Sequence, residues 1–250
     1  MIAPIQLSEH VYALPIEAQM MVGRGVLNLA LILDAQHGAT LVDTGTPNQL
    51  PAIEAALGEL GLKITDIRRV IVTHHDLDHI GSLEAVVAAS GAEVLTSEAE
   101  VPYVQEGRRA QKMPPADKVD ELMADAPEHV REMMKNLPVV RVSVTRLLSD
   151  NEVLGVAGGV RVVFTPGHTV GHLSLYVEQE GVLITGDALA SEDGQLTGPM
   201  PQYTPDLPEA LNSVQKLAQL PAQKVLTYHG GVVDQDAALQ LTRVVAEGNS

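Results

Sequence analysis

Apolar positions along this 250-residue chain recur with two periods, and the alternation between them marks out its elements. VLNLALIL (26–33) and GATLVDTG (38–45) are nearly continuous β-rich runs joined by DAQHG, which predicts a hairpin. TPNQLPAIEAALGELG follows, with Pro47 and Pro51 near its start, apolar residues at helical spacing and Gly61 as a stop. IRRVIVT (67–73) is a short strand, 78–91 a helix closed by Gly91, and AEVLTS (92–97) another strand. This order, strand, polar motif, helix, strand, predicts an α/β layer with a site at a strand's C-terminal end.

Residues 98–138 break the pattern. They are charged, carry Met113, Met123, Met133 and Met134, and are punctuated by Pro102, Pro114, Pro115, Pro127 and Pro138. Two or three short helices inserted between sheet segments are predicted. Such an insert serves either as a helical hairpin packed on the core or as a lid whose methionines adapt to a substrate. β-patterning then returns at 139–148, 160–165, 172–178 and 181–187. A helix at 205–220 with Asp206 as N-cap, a strand at 224–228 and a closing helix at 234–248 follow. Two successive β-rich halves, each with flanking helices, predict a four-layer α/β sandwich forming a single domain over 1–250.

Composition narrows the chemistry. Hydrophobic residues make up 45% and charged residues 19%, and no run of about 18 apolar residues is present, so an ordinary globular chain with no membrane span is expected. MIAPIQLSEH lacks the basic start and apolar core of a signal peptide, which makes a cytoplasmic location the expectation. Cysteine is absent, so disulfides and thiolate ligands are excluded, and any metal must be held by His, Asp and Glu. The net charge of −16, with no Lys/Arg cluster beyond the pairs at 68–69 and 108–109, argues against nucleic acid as a partner.

Four segments place metal-type ligands where strands end: THHDLDH (73–79), TPGHTVGH (165–172), TGD (185–187) and YHGG (227–230). Taken alone, His75 and His79 are four apart and invite comparison with the helical HExxH zinc motif. Two facts count against it. Asp76 stands where the general-base Glu would be, and the segment follows a β-branched strand. Read instead as a loop, residues 74 and 76 point to one side of an extended strand end, while the turn into the helix presents 78 and 79 to a second position. His74, Asp76, Asp78 and His79 then serve two cations a few Å apart, and His75 points away.

With these motifs in view, the sequence resembles the metallo-β-lactamase superfamily, whose signature is a Thr-His-x-His-x-Asp-His loop followed by a Gly-His, a Gly-Asp and a late His-Gly. THHDLDH, GH at His168, GD at Asp187 and HG at His229 occur in that order, and LVDTG (41–45) matches the strand ending in Asp-Thr-Gly, with Asp43 in a supporting role. The resemblance implies a four-layer αββα sandwich of the metallo-β-lactamase type with a helical insert at about 98–138. It implies one metal held by His74, Asp76 and His168, and a second held by Asp78, His79 and His229. Asp187 would bridge them together with a hydroxide. Two divalent ions are therefore expected as cofactors, zinc first, with iron or manganese as alternatives. Asp78 and Asp187 are the candidates to orient the nucleophile or take its proton.

One departure from the family pattern is Asp76, where a second histidine is usual. Two divalent ions and three carboxylates leave +1 before hydroxide, against +2 for the usual set, which lends manganese and iron credibility beside zinc. His172 is a candidate to orient a ligand, or a packed histidine opening a strand. Tyr203 and Tyr228 are candidate oxyanion contacts, with packing or surface roles the plainer reading. His10, His37 and His129 lie outside the motifs. The 17–25 loop, with Met20 and Met21, is expected to overhang the site.

By the same resemblance, the missing cysteine argues against thiolate-containing β-lactamases, and the acidity against the nuclease branches. The chain length argues against flavodiiron oxidoreductases and against glyoxalase-type thioesterases with their helical substrate domain. Ala190 stands where acyl-homoserine lactonases carry a tyrosine. The expected function is a metal-dependent hydrolase attacking the carbonyl of a small-molecule ester, lactone, thioester or amide. The alternatives are an iron-dependent oxidoreductase or dioxygenase on the same fold, prompted by Asp76, and a non-catalytic metal- or ligand-binding module.

Overall fold

The computed structural model describes residues 2–20 and 23–248. Its strands read as continuous apolar runs because both faces of each sheet are covered. Along Arg24–Ile32, Leu29 and Leu31 enter one core while Ala30 and Ile32 enter another. The same alternation divides Val70 from Ile71, and Val94 from Leu95. Successive side chains of a strand point to opposite faces, so a run apolar at every position needs a partner layer on each side.

The first sheet has seven strands in chain order: Ile5–Gln6, Val11–Gln19, Arg24–Ile32, Ala39–Val42, Ile67–Ile71, Glu93–Ser97 and Arg146–Leu148. Pairing is antiparallel up to Ala39–Val42 and parallel from there on. The second sheet has six strands, in the order Gly231–Val233, Lys224–Thr227, Val182–Ile184, Leu173–Val177, Val160–Phe164 and Val153–Leu154. Ile53, Leu57, Leu83 and Val86 of the helices Leu50–Glu59 and Leu83–Ser90 cover the outer face of the first sheet. Ala13, Ile32, Ile71 and Leu95 meet Val162, Leu175, Ile184 and Leu226 between the sheets. Val163, Tyr176, Leu183 and Val225 face Val214, Leu217, Leu241 and Val244 of the helices Leu207–Leu217 and Ala237–Gly248. The layers are therefore helix, sheet, sheet, helix, the predicted αββα sandwich. Among the described residues no helix is long and apolar enough to cross a membrane.

Most predicted elements occupy their expected places, with several differences; Ile5–Gln6, Val11–Gln19, Val153–Leu154 and Gly231–Val233 are strands that the pattern did not predict. The predicted strand 139–148 shrinks to Arg146–Leu148, because Val140 and Val142 turn into the helix-side core while Val142 donates its N–H to the Val104 carbonyl. The predicted helix 78–91 is two pieces, Leu77–Ile80 and Leu83–Ser90, separated at Gly81, whose Cα faces the Pro47 backbone with no room for a Cβ. The 17–25 loop is shorter than expected, since strand pairing continues to Gln19 opposite Arg24. Met20 packs on the helix-side core, and Met21 lies outside the described residues. A small hairpin, Ala190–Glu192 with Gln195–Thr197, was not predicted. The insert carries Val101–Val104, Val119–Leu122 and Glu128–Lys135, three short helices as expected.

Strand directions deliver the four motifs to one edge. Lys224–Thr227 runs parallel to Val182–Ile184, and Val160–Phe164, two antiparallel steps away, runs the same way. Their C-terminal ends release His229, Asp187 and His168 together. Thr73, beyond the end of Ile67–Ile71, accepts the Leu173 N–H at 3.1 Å, and Asn28 N–H donates to the Tyr228 carbonyl at 3.0 Å, so the two sheets are stitched where the motifs meet. Gly230 permits that stitching. Its φ is +110°, and a Cβ there would lie 1.8 Å from the Ser191 carbonyl oxygen. Gly230→Ala combines left-handed strain with overpacking and is expected to cost about 2–4 kcal/mol in a denaturant titration. A loss below about 1 kcal/mol would mean that the His229 loop relocates freely.

Candidate metal centre

The strand Ile67–Ile71 ends in a buried Thr73-His74 step, and the turn into Leu77–Ile80 places Asp76 just before that helix. Asp43 organises this turn. It adopts left-handed φ of 61°, a conformation that aspartate tolerates better than most residues. Its carboxylate accepts the Thr73 N–H at 2.8 Å, the Thr73 hydroxyl at 2.7 Å and His79 Nδ1–H at 2.8 Å. With its own proton given to Asp43, the Thr73 oxygen accepts from His74 Nδ1–H at 3.0 Å. Both histidines are thereby held with Nε2 turned inward.

Seven donors converge on this point in two groups: His74, Asp76, His168 and Asp187, then Asp78, His79 and His229. In the first, Asp76 Oδ2 stands 3.3 Å from His74 Nε2 and 3.1 Å from His168 Nε2, and His168 Nε2 stands 3.3 Å from Asp187 Oδ2. In the second, Asp78 Oδ2 is 3.3 Å from His229 Nε2 and 4.0 Å from His79 Nε2, and His79 Nε2 is also 3.3 Å from Asp187 Oδ1 of the first. Asp187 faces both groups, one oxygen 3.3 Å from His79 and the other 3.5 Å from His229. Donors at about 2.0–2.1 Å from a tetrahedral ion stand about 3.3–3.4 Å apart, close to most of the spacings found here, with His79 and Asp78 wider at 4.0 Å.

The electrostatics agree with that fit. His74 Nε2, Asp76 Oδ1, His79 Nε2 and Asp187 Oδ1 are buried with no hydrogen-bond partner, a concentration of unsatisfied polar atoms that a shared cation would satisfy. Burial opposes ionisation of Asp187, yet His79 and His229 overcome it and hold the carboxyl well below the usual range. Burial likewise opposes charge on His229, but Asp187 and Asp78 push it up to about 10. His79 is raised well above the ordinary histidine value by Asp187, Asp43 and Asp78 against burial. His74, by contrast, is lowered by burial and by the neighbouring His79, and so offers a lone pair. Oxygen and imidazole donors of this kind suit zinc, iron or manganese.

The remaining sequence candidates sort cleanly. His75 turns away, as the loop reading required. It is buried, stacks on Tyr103 at 3.7 Å, donates from Nδ1 to Glu100 and accepts the Gln111 N–H on Nε2 at 3.1 Å. His172 accepts the Asp187 N–H on Nε2 at 3.0 Å and bonds Thr165 through Nδ1 at 2.8 Å, so it positions the Asp187 turn through the backbone. Tyr228 is buried against His79, ring to ring at 3.7 Å, and gives its hydroxyl to the Asp78 carbonyl, which removes it as an oxyanion contact. Tyr203 is exposed on a surface turn. His10 and His37 pair with Glu180 and Asp34 away from the cluster.

Two residues at the centre escape a reading of the sequence. Glu100 is fully buried and accepts from His75, from the Thr169 hydroxyl at 2.7 Å and from the Gly171 N–H at 3.0 Å, tying the insert to both metal-side loops. Lys112 reaches in from the insert, bonding Asp76 Oδ2 and standing 2.7 Å from His168 Nε2. Nothing in spacing or periodicity marks either residue.

Comparison with known proteins gives the same picture. The sequence model of the metallo-beta-lactamase superfamily matches residues 23–229, from the second long strand to the late histidine. The Bacillus subtilis protein named "Probable metallo-hydrolase YflN" is 29% identical over 211 residues, covering 78% of this chain and 76% of its own. A hydroxyacylglutathione hydrolase of Methylobacillus flagellatus is 30% identical over 74% of this chain, which spans 55% of that protein's length. Among solved structures, a metallo-beta-lactamase family protein of Thermus thermophilus superposes with a TM-score of 0.74 at 30% identity, covering 98% of this chain and 81% of its own. A Cronobacter sakazakii metallo-beta-lactamase with an HARLDQ motif, at 20% identity and a TM-score of 0.71, shares the fold. With strand order, layer order and the motif order all in agreement, this chain belongs to the metallo-beta-lactamase superfamily and is a metal-dependent hydrolase of that family.

Proposed function

We propose that the chain hydrolyses a small-molecule ester, lactone, thioester or amide at a dinuclear centre. His74, Asp76 and His168 would hold one divalent ion, Asp78, His79 and His229 the other, and Asp187 would serve both. The observation that carries this reading is the convergence of seven donors around buried, unpartnered Nε2 and carboxylate atoms. Two bound ions, zinc first among the candidates, would supply a hydroxide-like water at neutral pH and polarise the carbonyl oxygen.

The chain's own residues do the rest. Asp78 keeps 25% of its side chain exposed and His229 26%, so substrate meets the centre on their side, while His74 and His79 are sealed beneath. The oxygen of water bonds to the carbonyl carbon, the bond from that carbon to the alcohol, thiol or amine breaks, and the proton from water passes to the leaving atom. Asp78, at the open rim, accepts that proton and returns it. Asp187, buried and held ionised by its histidines, orients the water. Asp43 and His172 keep His79 and the Asp187 turn in register through the bonds described above.

Three outcomes test this. Zinc, iron or manganese at one hundredfold over its Kd should raise stability by about 2.7 kcal/mol, read as a rise in Tm that excess chelator reverses. Unchanged melting with each metal would end the metal-centre reading. Asp187→Asn should lower metal content and abolish turnover across a panel of esters, lactones, thioesters and amides, by about a hundredfold or more. Retention of both metal and turnover would remove Asp187 from the centre. Asp43→Ala should weaken metal affinity by about 10–100-fold with the fold intact, because His79 loses the partner that fixes its ring. An unaltered metal titration would show that packing against Tyr228 alone orients His79.

A further inference from the structure

Lys112 makes the two halves of the centre unequal. It comes from the insert, which the ligand motifs do not include, and its side chain is 14% exposed. Its ammonium bonds Asp76 Oδ2, the oxygen that also faces His74 and His168, and it lies 2.7 Å from His168 Nε2. Asp78, His79 and His229 have no comparable contact with a lysine or arginine among the described residues.

We propose that Lys112 competes with the metal ion for the His74–Asp76–His168 position, so that the two positions load in order. This rests on the metal-centre reading above. The decisive atom is His168 Nε2. A carboxylate oxygen can serve two partners, but an imidazole nitrogen has one lone pair, which goes either to an N–H donor or to a metal. Nε2 also stands 3.1 Å from Asp76 Oδ2; with Nε2 free of a proton, as metal binding requires, Lys112 and an ion are mutually exclusive on His168. The position built on Asp78, His79 and His229 has no lysine or arginine side chain against it among the described residues and is the more open, so it fills first. Filling the other requires the ammonium to leave His168 and Asp76.

The insert is built so that this movement stays confined to one side chain. Gln111 donates its backbone N–H to His75 Nε2 at 3.1 Å and accepts the Val170 N–H on its side-chain oxygen at 3.2 Å. Those two bonds pin the backbone beside Lys112 to the 73–79 loop and to the 165–172 loop. When the second ion binds, the lysine swings toward the mouth of the centre while the strap remains in place. Asp76 and Lys112 then form a matched pair: the carboxylate in the position where the family usually has a histidine lowers the charge of the first position, and the lysine restores a positive charge beside it that an ion can displace.

The test is a metal titration of chelator-stripped full-length protein, with cobalt(II) read by its visible absorption and zinc by calorimetry. Wild type should bind its first equivalent tightly and its second more weakly. Lys112→Met removes the charge at similar length and should tighten the weaker step by about tenfold or more, the value of one charge-assisted hydrogen bond, leaving the tight step within about threefold. Arg108→Met removes the same charge from the same segment. Arg108 lies over Tyr103 and makes no contact with the donors, so this variant should leave both steps within about threefold. A general field effect would move Lys112→Met and Arg108→Met together and would overturn the competition. Two equal steps in wild type, or a weaker step that Lys112→Met does not tighten, would overturn it as well. Absence of metal uptake by wild type and Lys112→Met alike would instead overturn the metal centre itself.

Discussion

Three carboxylates and four histidines meet at one sheet edge, and the rest of the structure is arranged around the balance of charge that this cluster demands. Asp187 shows it most directly. It is buried, ionised against the penalty of burial, and approached on both oxygens by imidazoles about 3.3–3.5 Å away. In a low-dielectric interior an unpaired carboxylate would take up a proton or draw in water. Here the neighbouring histidines are driven to carry the charge instead, which is why His79 and His229 titrate so high.

The scaffold serves that cluster by removing freedom from its members. Asp43 holds Thr73 and His79, Thr73 holds His74, His172 holds the Asp187 turn, and Tyr228 wedges His79 from below. Apart from the Thr73–His74 step, each of these contacts joins segments that flank different strands. The stitching is backbone to backbone where it can be, and Gly230 allows the closest approach. Preorganisation of this kind lets the donors stand at metal-binding spacing without the metal having to gather them, so binding energy is not spent on ordering loops.

The insert contributes more than cover. Glu100 and Gln111 bind it to both donor loops, and Lys112 presents a positive charge to Asp76, the one candidate ligand that departs from the usual family set. The extra carboxylate and the extra ammonium are found facing each other, at positions 36 residues apart in the chain. Asp76 therefore does not stand in a site that is merely less positive. It stands in one where Lys112 supplies a positive charge beside the carboxylate.

How much of this was legible beforehand follows from the range of the interactions involved. Strand and helix periods are properties of neighbouring side chains, so the alternation in 26–33, 67–73 and 160–165, and the stops at Gly61 and Gly91, could be read directly. The four motifs could be read too, because each is a short run of donor types at a strand end, and His75 could be set apart from His74 by the two-residue period. The predicted strand at 139–148 failed because Val140 and Val142 are drawn into the helix-side core, a tertiary demand with no local signature. The convergence of His168, Asp187 and His229 depended on three strands of one sheet running in the same direction, and their meeting with His74, Asp76, Asp78 and His79 on the packing of that sheet against the other, which topology decides and spacing does not. Glu100 and Lys112 were invisible for the same reason: each acts across the fold, through bonds to residues 25 to 71 positions away, and nothing in its own neighbourhood records the partner it meets.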